Sequence, residues 1–207
     1  MRFASVAGEA TEEHESRDED DDEQKNDPDE CNVESLESKP GKEWDKEYGW
    51  RFATSALEDP EERDKENYEL RHKAYLELVK GTSPWPDWFE PKVSMLPVGT
   101  KFQMAMSPNQ KDDRPGGFGT FDEIDTLTEI RDDLAVLEEW KPEVHRVNVY
   151  RVTHPLPVYI GPVGPQVDPE ECVLLTGRFS QFQMLVERQN RIKHIELVSS
   201  HPVKQVK

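Results

Sequence analysis

Cysteine is scarce. Cys31 and Cys172 are the chain's two cysteines, too few for a disulfide framework. The six histidines (His14, His72, His145, His154, His194 and His201) are scattered. No Cys–His spacing matches a zinc site, so no metal is expected. Long apolar runs are also missing, which excludes a membrane-spanning helix. The N-terminal Met1-Arg-Phe-Ala-Ser-Val-Ala-Gly8 is too short an apolar stretch for a signal peptide and is followed at once by acid. The expectation is a cytoplasmic protein, or one exported by a non-classical route, with no nucleic-acid or membrane partner. Hydrophobic residues make up 34% of the 207, well under the near-half of an ordinary globular chain.

Charge shows where the missing core belongs. Residues 1–40 hold four basic and fifteen acidic side chains, a net −11 that leaves −7 of the total −18 to the other 167 residues. The run Asp18-Glu-Asp-Asp-Asp-Glu23 sits among almost no large apolar residues. Such a segment cannot offset its chain entropy by burial, so residues 1–40 read as a disordered acidic leader. An acidic interaction arm, or a nucleic-acid mimic for a basic partner, is the functional alternative to a solubilising tail.

Aromatic density returns at Trp44, Tyr48, Trp50 and Phe52. Asp59-Pro60-Glu61-Glu62 is then a helix start, with Asp as cap, Pro at the first position and acids in the first turn. That helix is expected to run to Lys80 and to stop at Gly81, with Tyr68, Tyr75, Leu78 and Val79 forming its docking face. Ser83-Pro-Trp-Pro-Asp-Trp88 is a linker or lid, because two prolines in three residues break helix and ladder alike. Strand signals follow at Thr100–Met106, Arg146–Val152, Leu156–Ile160, Gln181–Val186 and His194–Val198, with Val147, Val149 and Val152 facing inward. Between the first two, Ile124, Leu127, Ile130, Leu134 and Leu137 recur at helical spacing over Phe121–Trp140. The pattern predicts an α+β domain over residues 85–207 built on a small curved or split antiparallel sheet, behind a 41–84 segment of helix and linker.

Three segments carry possible chemistry. Arg114-Pro-Gly-Gly-Phe-Gly-Thr120 has three glycines in four residues, which permits close backbone approach of a ligand. A glycine-rich stretch can cradle phosphate on backbone N–H groups, though a flexible loop has the same composition. Pro155-Leu-Pro-Val-Tyr-Ile-Gly-Pro-Val-Gly-Pro-Gln166 is a stiff extended segment that suits an edge strand. Thr176-Gly-Arg-Phe-Ser-Gln181-Phe-Gln183 places Ser180 and Gln181 where a loop enters a strand. Residues there are either solvated or held rigidly for catalysis.

Taken in order, Leu96-Pro-Val-Gly-Thr100, Gly116-Gly-Phe-Gly-Thr120, the Pro155-Leu-Pro-Val158 block with Gly161-Pro, and Gly177 with Ser180-Gln181 resemble the tuberculosis-necrotizing-toxin family of NAD glycohydrolase domains. The likeness spans Met95 to the C-terminus. It implies a reduced ADP-ribosyltransferase-like fold, NAD+ as substrate without a cofactor, and an inhibitor or immunity protein as a partner. Residue by residue, it implies Gln181 as the catalytic glutamine, Arg131 as an arginine that helps hold the dinucleotide, and Phe118 near the aromatic of the nicotinamide pocket. Gly117, Phe179 and Ser180 fall beside these. Two positions depart from the pattern. Gln103-Met104-Ala105 stands where the family has an arginine, which Arg114 would have to replace, and Gly177-Arg178-Phe179 stands for a triple glycine.

The chemistry needs little. Nicotinamide leaves as a neutral group from a cationic one through an oxocarbenium-like transition state, so no strong acid is required. A phosphate clamp, ring stacking from Phe118 or Phe179, and an uncharged polar group that positions water or a ribose hydroxyl suffice. Arg131 offers the bidentate phosphate contact. Two other functions compete. A mono-ADP-ribosyltransferase on this fold would place Glu near Gln183, whereas after Gln181-Phe182-Gln183 the first Glu is Glu187. A non-enzymatic interaction protein would leave NAD+ intact.

Overall fold

A computed structural model describes residues 32–53, 56–81 and 83–205. It is an α+β structure. Among the described residues two α-helices, α1 (Lys39–Tyr48) and α2 (Pro60–Lys80), precede nine strands: β1 Lys92–Leu96, β2 Lys101–Met106, β3 Phe118–Gly119, β4 Arg146–Val152, β5 Leu156–Pro162, β6 Gln166–Asp168, β7 Val173–Leu175, β8 Ser180–Met184 and β9 Ile195–Pro202. The strands form small antiparallel sheets in the orders β1-β5-β8-β3, β2-β4-β9 and β6-β7. A bridge between Gln103 and Thr120 joins the first two sheets.

Those two sheets share one core. Leu156, Val158, Phe182 and Met184 from one meet Phe102, Met104, Met106, Tyr150, Val152 and Ile195 from the other. On β4 the inward row is Asn148, Tyr150 and Val152, while Val147 is buried on the opposite face with Ile124, Ile130, Val144 and Val203. The expected inward Val149 is only half-buried. The β4–β9 register shifts between Val149 and Tyr150. Such an irregularity breaks simple alternation.

Helix α2 follows its sequence signals closely. Asp59 Oδ1 accepts from the backbone N–H of Glu61 at 2.8 Å and Glu62 at 3.1 Å, and Pro60 opens the first turn. Tyr75 is fully buried beneath it, whereas Tyr68 is exposed. Three expectations need correction. The leader does not stay free to residue 40: Leu36 is 3% exposed against Trp44 and Tyr75, and Ser38 caps α1. The remainder of the expected leader, residues 1–31, lies outside the described residues. Cys172 is disulfide-bonded, and the chain's other cysteine, Cys31, likewise lies outside them.

The third correction concerns Phe121–Trp140, which is not a helix; its one helical turn is Glu129–Asp133, of π type. The reason is visible in the backbone bonds. Ile124 N–H donates to the Gln103 side-chain oxygen and Leu127 N–H to the Lys204 carbonyl. Ala135 then turns through a left-handed φ of 46°. Of the apolar residues that mimic helical spacing, Ile124 and Ile130 are buried against Val147 of β4 and Val203, while Leu127, Leu134 and Leu137 are only partly buried.

Candidate functional site

A cavity of about 420 Å³ opens where β2, the glycine-rich segment, the 134–141 loop, the Val163–Gly164 turn and β8 converge. This volume falls within the range of small-molecule sites. Its floor is apolar, from Met104, Ile124, Leu134, Val136 and Val163. Gln181, Gln103 and Gln166 supply carboxamides. Phe118 and Trp140 line it with rings that are 42% and 45% exposed. Lys141 supplies the one ionised side chain of the lining, in which no carboxylate or imidazole appears among the described residues.

Gln181 is 7% exposed, not solvated as a residue at a strand start ordinarily is. Its Nε2 donates to the carbonyl of Pro84. An amide turned the other way would set oxygen against oxygen, so this bond fixes the orientation and leaves Oε1 as the acceptor. The same Pro84 carbonyl accepts from Gly164 N–H at 2.9 Å. One residue earlier, the Ser83 carbonyl accepts from Gln166 Nε2 at 2.8 Å. Packing reinforces this clasp, because a Cβ on Gly164 would lie 2.6 Å from the Trp85 backbone. The Pro-rich linker is therefore a wall of the site, and the expected boundary between residues 84 and 85 falls inside that wall.

The glycine-rich segment also lines the cavity, through Gly116, Gly117, Phe118 and Gly119. Gly119 is compelled by packing: a Cβ there would lie 2.6 Å from the Phe182 ring and 2.9 Å from that of Phe102. The residues before it are tied down. Asp112 accepts from Asn148 Nδ2 at 2.9 Å and from Arg146 Nη1 at 3.0 Å, and Tyr150 Oη donates to the Asp112 carbonyl.

Of the residues singled out from sequence, Gln181, Gly117 and Phe118 meet in this cavity and four do not line it. Arg114 is exposed and outside the lining. Phe179 packs with the Ile124–Ile130 and Ala135–Val163 clusters. Ser180 donates through both N–H and Oγ to Asp122 Oδ2 at 2.6 Å, so it anchors a turn. Arg131 points its fork at backbone: Nη1 donates to the Val136 carbonyl at 3.0 Å, and Nη2 to those of Lys141 at 2.8 Å and Pro142 at 3.1 Å. It braces the loop that carries Trp140 and Lys141.

Sequence reasoning missed Trp140, Lys141 and Gln166. Lys141 Nζ donates to the Ala105 carbonyl at 2.8 Å, within the stretch where the resemblance expects an arginine. Burial pushes its ammonium below the usual lysine range, and repulsion from Arg131 adds to this. No sequence spacing connects residues 105 and 141; the loop alone brings them together. Glu187 accepts from Gln189 and Asn190 and stays outside the cavity. Among the described residues no helix is long and apolar enough to cross a membrane.

No family profile matches the chain, and no curated protein does. Solved structures similar to it include three complexes. One is Tne2 in complex with Tni2, 20% identical with a TM-score of 0.48, covering 59% of this chain and 99% of that one. Another is Rhs1-CT in complex with its cognate immunity protein RhsI1, 18% identical with a TM-score of 0.37, covering 55% and 81%. A third is Tse6 in complex with Tsi6, 16% identical with a TM-score of 0.34, covering 76% and 96%. All three scores lie below 0.5, so the α+β architecture rests on the strand topology above.

Proposed function

We propose that this chain hydrolyses NAD+ to nicotinamide and ADP-ribose. One observation carries the reading: a single cavity joins the buried, oriented Gln181 to two partly exposed aromatic residues, Phe118 and Trp140, with no carboxylate in its lining among the described residues. The planar nicotinamide ring suits the aromatic faces. The glycosidic bond breaks with its electron pair passing to the ring nitrogen, which becomes neutral. Water adds at the anomeric carbon and releases its proton to solvent. Gln181 Oε1, left free by the Pro84 bond, accepts a hydrogen bond from that water or from a ribose hydroxyl and holds it in place.

Transfer to a protein acceptor is less well supported. It calls for a carboxylate beside the anomeric carbon, and the lining supplies carboxamides. An inhibitory protein partner belongs to the same proposal through the family resemblance.

The test is to incubate the purified chain with NAD+ and quantify nicotinamide, free ADP-ribose and protein-linked ADP-ribose. Equal amounts of nicotinamide and free ADP-ribose are expected. Protein-linked product would make the chain a transferase, and intact NAD+ would overturn the enzyme reading.

A further inference from the structure

We infer that Lys141 is the anion-binding residue of this cavity and that it takes a phosphate or pyrophosphate group. The inference relies on the NAD+ reading for the dinucleotide, and on the cavity itself for the charge.

Among the described residues, the cavity's lining carries one ionisable side chain, the basic amine of Lys141. An ammonium has three donors. One reaches the Ala105 carbonyl, and the other two have no protein acceptor among the described residues. Arg131, the neighbouring cation, meets three carbonyls and likewise no carboxylate. No acidic side chain comes within ion-pair distance of either among the described residues. Two like charges, Arg131 on the Glu129–Asp133 turn and Lys141 on the loop it braces, are bonded only to neutral carbonyl oxygens and form an incomplete electrostatic arrangement. A ligand anion completes it.

Geometry favours phosphate. Gly116 and Gly117 line the same cavity; Gly116 N–H already donates to Met104 Sδ at 3.0 Å, but a further cation stands behind Gly117, the Arg191 guanidinium lying 3.3 Å from where a Cβ would be. A lysine binds phosphate as a point charge and needs no fixed fork. Arg131 acts one step back: its bond to the Lys141 carbonyl places the backbone from which the ammonium projects. Arg131 is therefore a positioning residue and Lys141 a binding residue.

The test is ADP binding by isothermal titration calorimetry, with adenosine and nicotinamide as controls, on the full chain and on Lys141→Met and Lys141→Arg. The parent is expected to bind ADP more tightly than adenosine, with affinity falling as salt rises. Lys141→Met keeps the stem and removes the charge; it should weaken ADP about 10- to 100-fold, the scale of a charge-assisted hydrogen bond. Lys141→Arg should restore ADP to within a few-fold, and nicotinamide affinity should not move in either variant. Should Lys141→Met melt early, Lys141→Gln gives the same readout.

Unchanged ADP affinity without the charge would overturn the inference, as would a parent that binds ADP no better than adenosine. ADP has no nicotinamide bond to cleave, so the two proposals fail separately. Lys141-dependent ADP binding beside intact NAD+ would leave this inference standing and remove the hydrolase. NAD+ turnover with Lys141-independent ADP binding would do the reverse.

Discussion

Arg131 and Lys141 are joined through the main chain: Arg131 Nη2 donates to the Lys141 carbonyl at 2.8 Å, while the Lys141 ammonium reaches across to the Ala105 carbonyl. One cation thus braces the loop and the other faces the cavity. Sequence reasoning gave Arg131 the second role, and the structure gives it the first. The expected consequence concerns stability. Arg131→Lys keeps the charge but cannot bridge the carbonyls of Val136, Lys141 and Pro142, so it should cost about 1–3 kcal/mol. Thermal unfolding should register this as about 2–4 °C per kcal/mol for a domain of this size. Lower ADP affinity with an unchanged melting temperature would instead mean that Arg131 touches the ligand.

Gly119 offers a test of the core behind the site. Its absent Cβ leaves room for the Phe182 and Phe102 rings, which stack edge to face with centroids 4.9 Å apart. Gly119→Ala forces those rings to shift and should destabilise by about 1–3 kcal/mol, as overpacking does. Urea unfolding measures it. A midpoint equal to the parent's would show that β3 can move away from β8 at little cost.

Acid sensitivity should localise partly to Glu129. Its Oε2 accepts from the backbone N–H of Asp125 at 2.8 Å and Thr126 at 2.7 Å. These bonds, the one from Asp125 foremost, hold its carboxyl below the usual glutamate range. The folded value therefore lies below the unfolded one. The stabilisation is fully present above the unfolded glutamate value and is lost as pH falls through the folded value. Glu129→Gln should lower the melting temperature at neutral pH, and the gap to the parent should shrink on acidification. A constant gap down to strongly acidic pH would remove Glu129 from the acid response.

How much was legible depended on the range of the interaction. Helix α2 was readable because its cap, proline and acidic first turn are local. The strands β2, β4, β5, β8 and β9 were readable within a few residues because a half-buried strand writes its alternation into neighbouring positions. The 121–140 segment misled because burial by strands around Ile124 and Ile130 produced a spacing that also suits a helix. Phe118 and Gln181 could be found through motif order. Trp140 and Lys141 could not, since the bond between residues 141 and 105 leaves no periodic trace. The part played by Pro84 was hidden for the same reason: its carbonyl acts, and any residue has one.

Gln181 separates the enzyme from a binding module. Gln181→Ala should lower NAD+ turnover by about a hundredfold or more, as when other preorganised polar groups are lost. It should also destabilise by about 1 kcal/mol, because the Pro84 carbonyl loses a buried donor. A solvated residue at a strand start would cost nothing. Gln181→Glu is sharper. A carboxylate has no donor for Pro84, so two oxygens would face each other unless the acid stays protonated. The variant should therefore melt below the parent at neutral pH and recover as pH falls and the carboxyl gains its proton. Gln183→Ala is the matching control on the same strand, since Gln183 lies outside the cavity lining and pairs with Phe118 and Tyr159. It should keep turnover within a few-fold of the parent. Turnover assays and melting curves on the three variants decide the matter. Loss in Gln183→Ala with full activity in Gln181→Ala would move the catalytic position two residues along β8, and full activity in both would leave the cavity a binding site without chemistry.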